Sequence, residues 1–448
     1  MDATTLTLAE LVTAIDIGSL PAVAVHEAKR RLLDSIACAM GAFDEPFCAE
    51  IRGVAQRYQG SPSARIWGTG ARSSMEMAGF ANATMVRYQD LSDTVLSRAA
   101  GHPSDMIPAL VALAEGTRAS GAALLEAIVA AYELYVGLCD ATAFQKRAVD
   151  QSTAAALGAA GGAARLLQLN VEQTGNAISL ALGANVNLYN VRSGALSDWK
   201  ACAGPNAAKQ GVFAALLAAD GVSGPTAVFD GTAGFCDIVG PLSFALNPTT
   251  APRILGTHLK AYPVCFHGQS AVDAATSLTG RVAPGDISSV SIETYEAAHR
   301  AMANDPSRWT PENRETADHS LPYTVGVVLT RGRLVSADYE PDALADPALG
   351  RFMQRISVVA SDAFTADYPT TTRTRIRITT TDGQTHESET AHPKGHALNP
   401  LSDVELTAKL NGLLPAAFTG ERGERIRAGV WALDDARSVD AMVDALCP

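Results

Sequence analysis

Aromatic residues are scarce in this 448-residue chain, at 6% of the composition, which argues against an all-β architecture filled with ring side chains. Cysteine is sparse and scattered: Cys38, Cys48, Cys139, Cys202, Cys236, Cys265 and Cys447 make an odd set with no CxxC pair. That pattern excludes a disulfide framework and a cysteine-ligated cluster. Basic side chains are outnumbered, 35 Lys and Arg against 47 Asp and Glu, for a net charge of −12. Phosphate backbones and anionic lipid are repelled at long range, so neither nucleic acid nor a membrane surface is an expected partner. Long, strongly apolar runs are missing as well. The most membrane-like stretch, Thr153–Leu167, is largely Ala and Gly and is interrupted by Arg165, so it reads as a buried helix. Met1–Val12 carries Asp2 and Glu10 and has no basic segment leading into an apolar run, which makes the cytoplasm the expected location. There is no HExxH, EF-hand or Walker pattern, and Gly68-Thr-Gly70 has Ser73 where a dinucleotide fingerprint needs its third glycine. Neither a nucleotide site nor a structural metal site is expected; the Gly-Thr-Gly piece reads as a turn.

What the chain does have is helical periodicity, 47% hydrophobic residues and many alanines and glycines. Val25, Ala28, Leu32, Leu33, Ile36 and Met40 recur mostly at steps of three and four. Ile107–Leu113, Leu124–Val136, Ala154–Leu169 and Ala207–Ala219 behave similarly, separated by Gly- and Pro-rich breaks. After about Gly256 the texture changes. Ser288–Glu293 and Arg373–Thr379 alternate as strands, the second running into the tight-turn pair Asp382-Gly383, while Gln269–Leu278 and Pro322–Leu329 read as helices. From Ser402 the helical pattern returns. The expected fold is mainly α: a large all-helical domain from residues 1–256 and 403–448, plus an α+β domain with an antiparallel sheet over 257–402.

Polar clusters interrupt this apolar background. In the first, Asp90, Asp93 and Thr94 precede His102-Pro-Ser-Asp105 at the start of an apolar helix. The plain interpretation is a capping loop with Ser104 or Asp105 as the cap; the chemical one is a neutral His102 base beside a helix amino terminus. In the second, Arg192 and Lys200 flank small residues just before a helix. A snorkelling surface lysine is the commoner case, although small neighbours also let an anionic group approach the ammonium. In the third, Lys260, Tyr262, Cys265 and His267 fall at the domain boundary, and no base for the Cys265 thiol is identifiable. The fourth joins Asp318 and Ser320, plausible helix caps, to His319 and Tyr323. The fifth, His392-Pro-Lys394-Gly395-His396 with Asn399-Pro400, is turn chemistry first.

In order, the segments MVRYQDLSDT with GHPSD, LSDWKACAGPNAAKQGVFAALLA, LKAYPVCFHGQSAVDAA, WTPENRETADHSLPYTV and HPKGHALNPLS resemble the MmgE/PrpD family. That family includes 2-methylcitrate dehydratase, cis-aconitate decarboxylase and iminodisuccinate epimerase. The resemblance runs from before residue 90 to beyond 400. It implies a helical domain with a smaller α+β lid, a cofactor-free and metal-free site between them, a polycarboxylate substrate and a homodimer. It also implies site roles for Asp90, Thr94, His102, Lys200, Lys260 and His319–Tyr323, and His267 matches a histidine of dehydratase-like members. Two positions depart from the pattern. Asp150 lies where decarboxylase-like relatives have a histidine close by, and Cys265 stands where glutamate or histidine is expected.

The implied chemistry removes a weakly acidic proton beside a carboxylate while hydroxide leaves the neighbouring carbon. His102 is then the expected acid/base, oriented by Asp90 or Asp93. Lys200, Lys260 and Arg192 bind carboxylates, with Thr94, Cys265 and His319 also at the substrate, and Tyr323, His267 or His319 protonates the leaving group. The leading expectation is a hydro-lyase acting on 2-methylcitrate or a related di- or tricarboxylate. Epimerisation of a dicarboxylate such as iminodisuccinate uses the same base, decarboxylation is a third route, and a silent binding or scaffold protein belongs to a different class.

Overall fold

The computed structural model describes residues 1–193 and 196–448, and its contacts divide the chain into two compact units, Met1–Thr257 with Ser402–Pro448, and His258–Leu401. In chain order the first unit carries α1 (Ala3–Ala14), α2 (Ala22–Gly41), α3 (Pro46–Ala55), α4 (Met75–Tyr88), α5 (Ile107–Thr117), α6 (Gly121–Ala141), α7 (Ser152–Leu166), α8 (Val171–Ala184), α9 (Trp199–Ala219) and α10 (Phe235–Val239). It is not all helix. Antiparallel pairs β1 (Ser63–Arg65) with β2 (Arg72–Ser74), and β3 (Val95–Leu96) with β4 (Ala100–Gly101), also form. The first is turned by Gly68 and Gly70 at φ 83° and 69°, values that a glycine reaches without a Cβ clash. The second closes the loop between α4 and His102.

Alanine and glycine pay for helix contact rather than for flexibility. α7 packs on α6, α8 and α9, and a Cβ at Gly158 or Gly162 would lie 2.7 Å from the carbonyl oxygens of Ala131 or Ala127 on α6. Two glycines four residues apart share one helix face, so they bring two backbones together along a seam. α6 is long and apolar enough to cross a membrane, but 89% of its most apolar window is buried inside the fold. This corrects the choice of Thr153–Leu167 as the most membrane-like stretch. Length and hydropathy alone do not distinguish a span from a core helix.

The returning chain is tied to the same unit. Ser402 and Glu405 form a capping box that starts the helix Asp403–Leu413. From that helix the buried Lys409 ammonium donates to Asp34 Oδ1 on α2 at 2.6 Å and to the Leu91 carbonyl at 3.0 Å. Residues more than 300 positions apart thus meet at the loop that carries Asp90 and Asp93.

In the second unit α11 (Phe266–Thr276) and the helix Leu321–Arg331 pack with a four-stranded sheet, order β6-β5-β7-β8. Its strands are β5 (Ile287–Thr294), β6 (Ile356–Ala360), β7 (Thr374–Thr380) and β8 (Thr385–Thr390). Ile376 and Ile378 enter the core while Arg375 and Arg377 alternate outward, pairing across strands with Glu389 and Glu387. The sheet is mixed, because β5 and β6 run parallel, which corrects the antiparallel expectation. Alternation reports which face a residue occupies and is silent on strand direction; direction here follows from the long helical crossover between β5 and β6.

Candidate active site

The loop after α4 is fixed from inside the first unit. Asp90 has φ 50°, a left-handed conformation that a short polar residue tolerates, and its carboxylate pairs with Arg87 one turn back on α4. Asp93 is fully buried. One of its oxygens accepts the Ser104 N–H at 2.9 Å and the other accepts the Tyr132 hydroxyl of α6 at 2.7 Å, with Arg31 Nε of α2 3.9 Å away. Burial, the largest influence, leaves the Asp93 pKa above the ordinary carboxylate value despite these partners. The cap on the single 3-10 turn Pro103–Met106 is therefore Asp93, not Ser104 or Asp105. The donor sits eleven residues from its acceptor, outside the local window in which caps are sought.

His102 immediately precedes that turn. Its Nδ1 lies 2.7 Å from the Asp93 carbonyl oxygen. A carbonyl can only accept, so Nδ1 carries the hydrogen and, in the neutral ring, Nε2 carries the lone pair. Thr94 Oγ1 donates to the Gly101 carbonyl at 3.0 Å and stands 3.4 Å from His102 Nδ1, so it braces the histidine loop. Of the two aspartates expected to orient His102, Asp93 does so, and through its main-chain carbonyl. A carboxylate already taken by Ser104 and Tyr132 is not directed at the ring.

Lys200 lies in the first turn of α9 and is only 3% exposed, so it is neither a snorkelling surface lysine nor a residue ahead of the helix. α9 starts at Trp199 and accommodates Pro205 inside it, which is why a reading that treats proline as a break starts the helix too late. Gly194 and Ala195 of the same motif lie outside the described residues. Arg192 sits in the 3-10 turn Tyr189–Arg192, where Nε is 2.7 Å from one oxygen of the buried Asp150 and Nη2 is 3.4 Å from the other. That forked pair already engages two of its nitrogens, so Arg192 is not an unpartnered cation.

The second unit carries its own group. Lys260 is completely buried, on a segment held by the fifth motif: Leu259 donates to the Gly395 carbonyl at 2.9 Å, and His258 stacks on His396 with ring centroids 4.3 Å apart. Gly395, at φ 88°, is required there, because a Cβ would fall 1.7 Å from the Leu259 oxygen. The Cys265 N–H donates to the Asp318 carbonyl at 2.9 Å, and the Asp318 carboxylate holds His319 Nδ1. Ser320 caps the helix Leu321–Arg331 through the Tyr323 N–H at 3.0 Å.

Two expected proton donors do not fit. The Tyr323 hydroxyl donates to the Asp338 carbonyl inside the core, and burial pushes its pKa up to about 12. His267 Nδ1 hydrogen-bonds the Tyr295 hydroxyl at 2.6 Å, and burial, with the charges of His319, Arg300 and Lys260, lowers its pKa to about 4. A histidine that is neutral at pH 7 is not poised to donate as an imidazolium. Asp105 was expected only as a helix cap, and Gln151, Tyr132 and Tyr135 were absent from the expected site. The two tyrosines carry no sequence signal beyond polarity within an apolar helical run, since their partners come from other elements.

Comparison with known proteins adds a separate line of support. The N-terminal domain of MmgE/PrpD proteins matches residues 6–244, and their C-terminal domain matches residues 262–435. The chain belongs to the MmgE/PrpD family. Relatives in this family include the 2-methylcitrate dehydratase of Cupriavidus necator, 29% identical over 96% of this chain and 93% of its own length. The Salmonella typhi 2-methylcitrate dehydratase is 30% identical over 90% and 89%, respectively. A cis-aconitate decarboxylase-like protein of Aspergillus oryzae is 25% identical over 97% of this chain and 95% of its own length.

Proposed function

We propose that this protein is a hydro-lyase acting on 2-methylcitrate or a related di- or tricarboxylate. Family membership and the dehydratase relatives make it an enzyme of the lyase type. The observation that carries the chemistry is the bond from His102 Nδ1 to the Asp93 carbonyl, which leaves Nε2 as the basic nitrogen. In the proposed reaction Nε2 takes the proton from the carbon beside a carboxylate, and the C–H electron pair becomes the new C=C bond. The C–O bond on the neighbouring carbon breaks with its electron pair staying on oxygen, which takes a proton from solvent and leaves as water. Lys200, buried in the first turn of α9, supplies fixed positive charge for the carboxylate on which negative charge develops.

The test is direct. EDTA-treated protein is incubated with 2-methylcitrate, citrate, cis-aconitate and iminodisuccinate, and products are followed by NMR in D₂O. An alkene from 2-methylcitrate is the expected result, and His102→Ala lowers its rate by about 10²–10⁴-fold, the usual contribution of general acid–base catalysis. Near-wild-type turnover by His102→Ala removes the histidine assignment. Inversion with deuterium exchange and no alkene, or release of carbon dioxide from cis-aconitate, replaces dehydration with another reaction.

A further inference from the structure

His102 is gripped by its main chain as well as its ring. Its N–H donates to the Tyr135 hydroxyl at 2.8 Å and to Gln151 Oε1 at 3.3 Å, and Tyr135 donates to the same Gln151 oxygen. Gln151 Nε2 in turn donates to Asp105 Oδ2 at 3.3 Å, and the Asp105 N–H returns to the His102 carbonyl at 3.1 Å. The bonds close a ring around the proposed base. Asp105 is wholly buried, and among the described residues its Oδ1 has no hydrogen-bond partner. Opposite its carboxyl is Gly204 of α9, where a Cβ would lie 1.9 Å from Oδ2, so the helix leaves room for this carboxyl and little else.

We propose that Asp105 is a positioning residue whose ionised carboxylate, acting through Gln151, locks the His102 main chain, so that turnover needs Asp105 charged as well as His102 neutral. The inference rests on the reading of His102 as the base. A charged acceptor strengthens the bond from Gln151 and polarises its amide, which makes Oε1 a better acceptor for Tyr135 and for His102.

The titratable groups around the carboxyl come from several elements. Arg87 of α4 and Arg192 favour its charge, Asp93 opposes it, and Tyr135 of α6 faces it. Lys200 lies one turn before Gly204 on α9, while Arg31 of α2 lies against Asp93. Burial outweighs the rest and raises the Asp105 pKa to about 6. The group therefore changes charge across the pH range in which such an enzyme is assayed.

The experiment measures kcat and KM for 2-methylcitrate between pH 5 and 8 in the wild type, Asp105→Asn, Tyr135→Phe and His102→Ala. In the wild type, log kcat is expected to fall on the acid side with a limiting slope of two, one proton for each group. Asp105→Asn is nearly isosteric and removes a charge that burial disfavours, so it is expected to fold. Its kcat at pH 7.5 should drop about a hundredfold with KM little changed, and its acid limb should have a slope of one. Tyr135→Phe should lower kcat and keep the slope of two. A wild-type slope of one, an Asp105→Asn slope of two, or a loss confined to KM overturns the inference. Turnover surviving in His102→Ala overturns the underlying assignment instead, so the two failures are separable.

Discussion

Replacing Gly211 by alanine tests whether the close helix contacts of the first unit are rigid. A Cβ at Gly211 of α9 would lie 2.4 Å from the Ala156 carbonyl oxygen, 2.8 Å from Ala159 Cβ and 2.8 Å from the Ala160 nitrogen, all on α7. Ordinary contact begins near 3.4 Å, so α9 must retreat by about 1 Å. α7 cannot yield, because Gly158 and Gly162 hold it against α6 carbonyls on another side. Overpacking of this kind costs about 3 kcal/mol, and alanine's better helix propensity returns about 1 kcal/mol, leaving a net loss of about 2 kcal/mol. For a unit of roughly 300 residues the unfolding entropy is about 0.6 kcal/mol/K, so the expected fall in Tm is about 3 °C.

Gly183→Ala is the matched control, since its nearest neighbour would be Pro225 Cγ at 3.5 Å and the helix-propensity gain stands alone. Differential scanning calorimetry of both variants and the wild type gives the comparison. A Gly211→Ala protein that melts at or above the wild-type temperature refutes the rigid-seam argument. Because α9 also carries Lys200, turnover is measured on the same samples, and a drop in kcat is expected from the displaced helix.

Two further outcomes follow from the buried polar groups. Tyr323→Phe leaves the Asp338 carbonyl without its hydroxyl donor and should destabilise the protein by about 1–3 kcal/mol, with kcat unchanged; a large loss of kcat at full stability would restore Tyr323 as a catalytic group. Glu133, buried on α6 and accepting the Arg253 N–H, has its pKa raised by burial to about 7. A carboxyl that binds its proton more tightly when folded loses stability as pH rises from its unfolded value, near 4.5, through 7. Glu133→Gln lacks that titration, so its Tm relative to wild type should become more favourable from pH 5 to pH 8, and a pH-independent difference would refute the assignment.

Much of the site was legible as composition in place. Asp90, Asp93, Thr94 and His102 are close in sequence, and the folded loop brings the Asp93 main chain and Thr94 to the His102 ring. Their division of labour was not legible. Whether Asp93 offers its carboxylate or its carbonyl to His102 depends on Tyr132 and Ser104 having claimed the carboxylate. Arg192 shows the same limit. As a sequence symbol it is a cation available to a substrate, and in the fold it is half of a forked pair with Asp150, 42 residues away. The two tyrosines behind the site, Tyr132 and Tyr135, look like ordinary core residues of an apolar helix until their hydroxyls find Asp93 and the His102 N–H.

Periodicity and ordered motifs were enough to establish the mainly helical character, the change of texture near residue 257, and the family. Each of these is encoded locally: a helix face repeats every 3.6 residues, a strand face every two, and a motif is a contiguous string. Tertiary structure decided the parallel pairing of β5 with β6, the burial of Lys200, the neutral state of His267 and the ring of bonds through Asp105. Strand direction depends on the route of the intervening chain. Burial and pKa depend on which distant groups displace water from a side chain, and no local spacing records that.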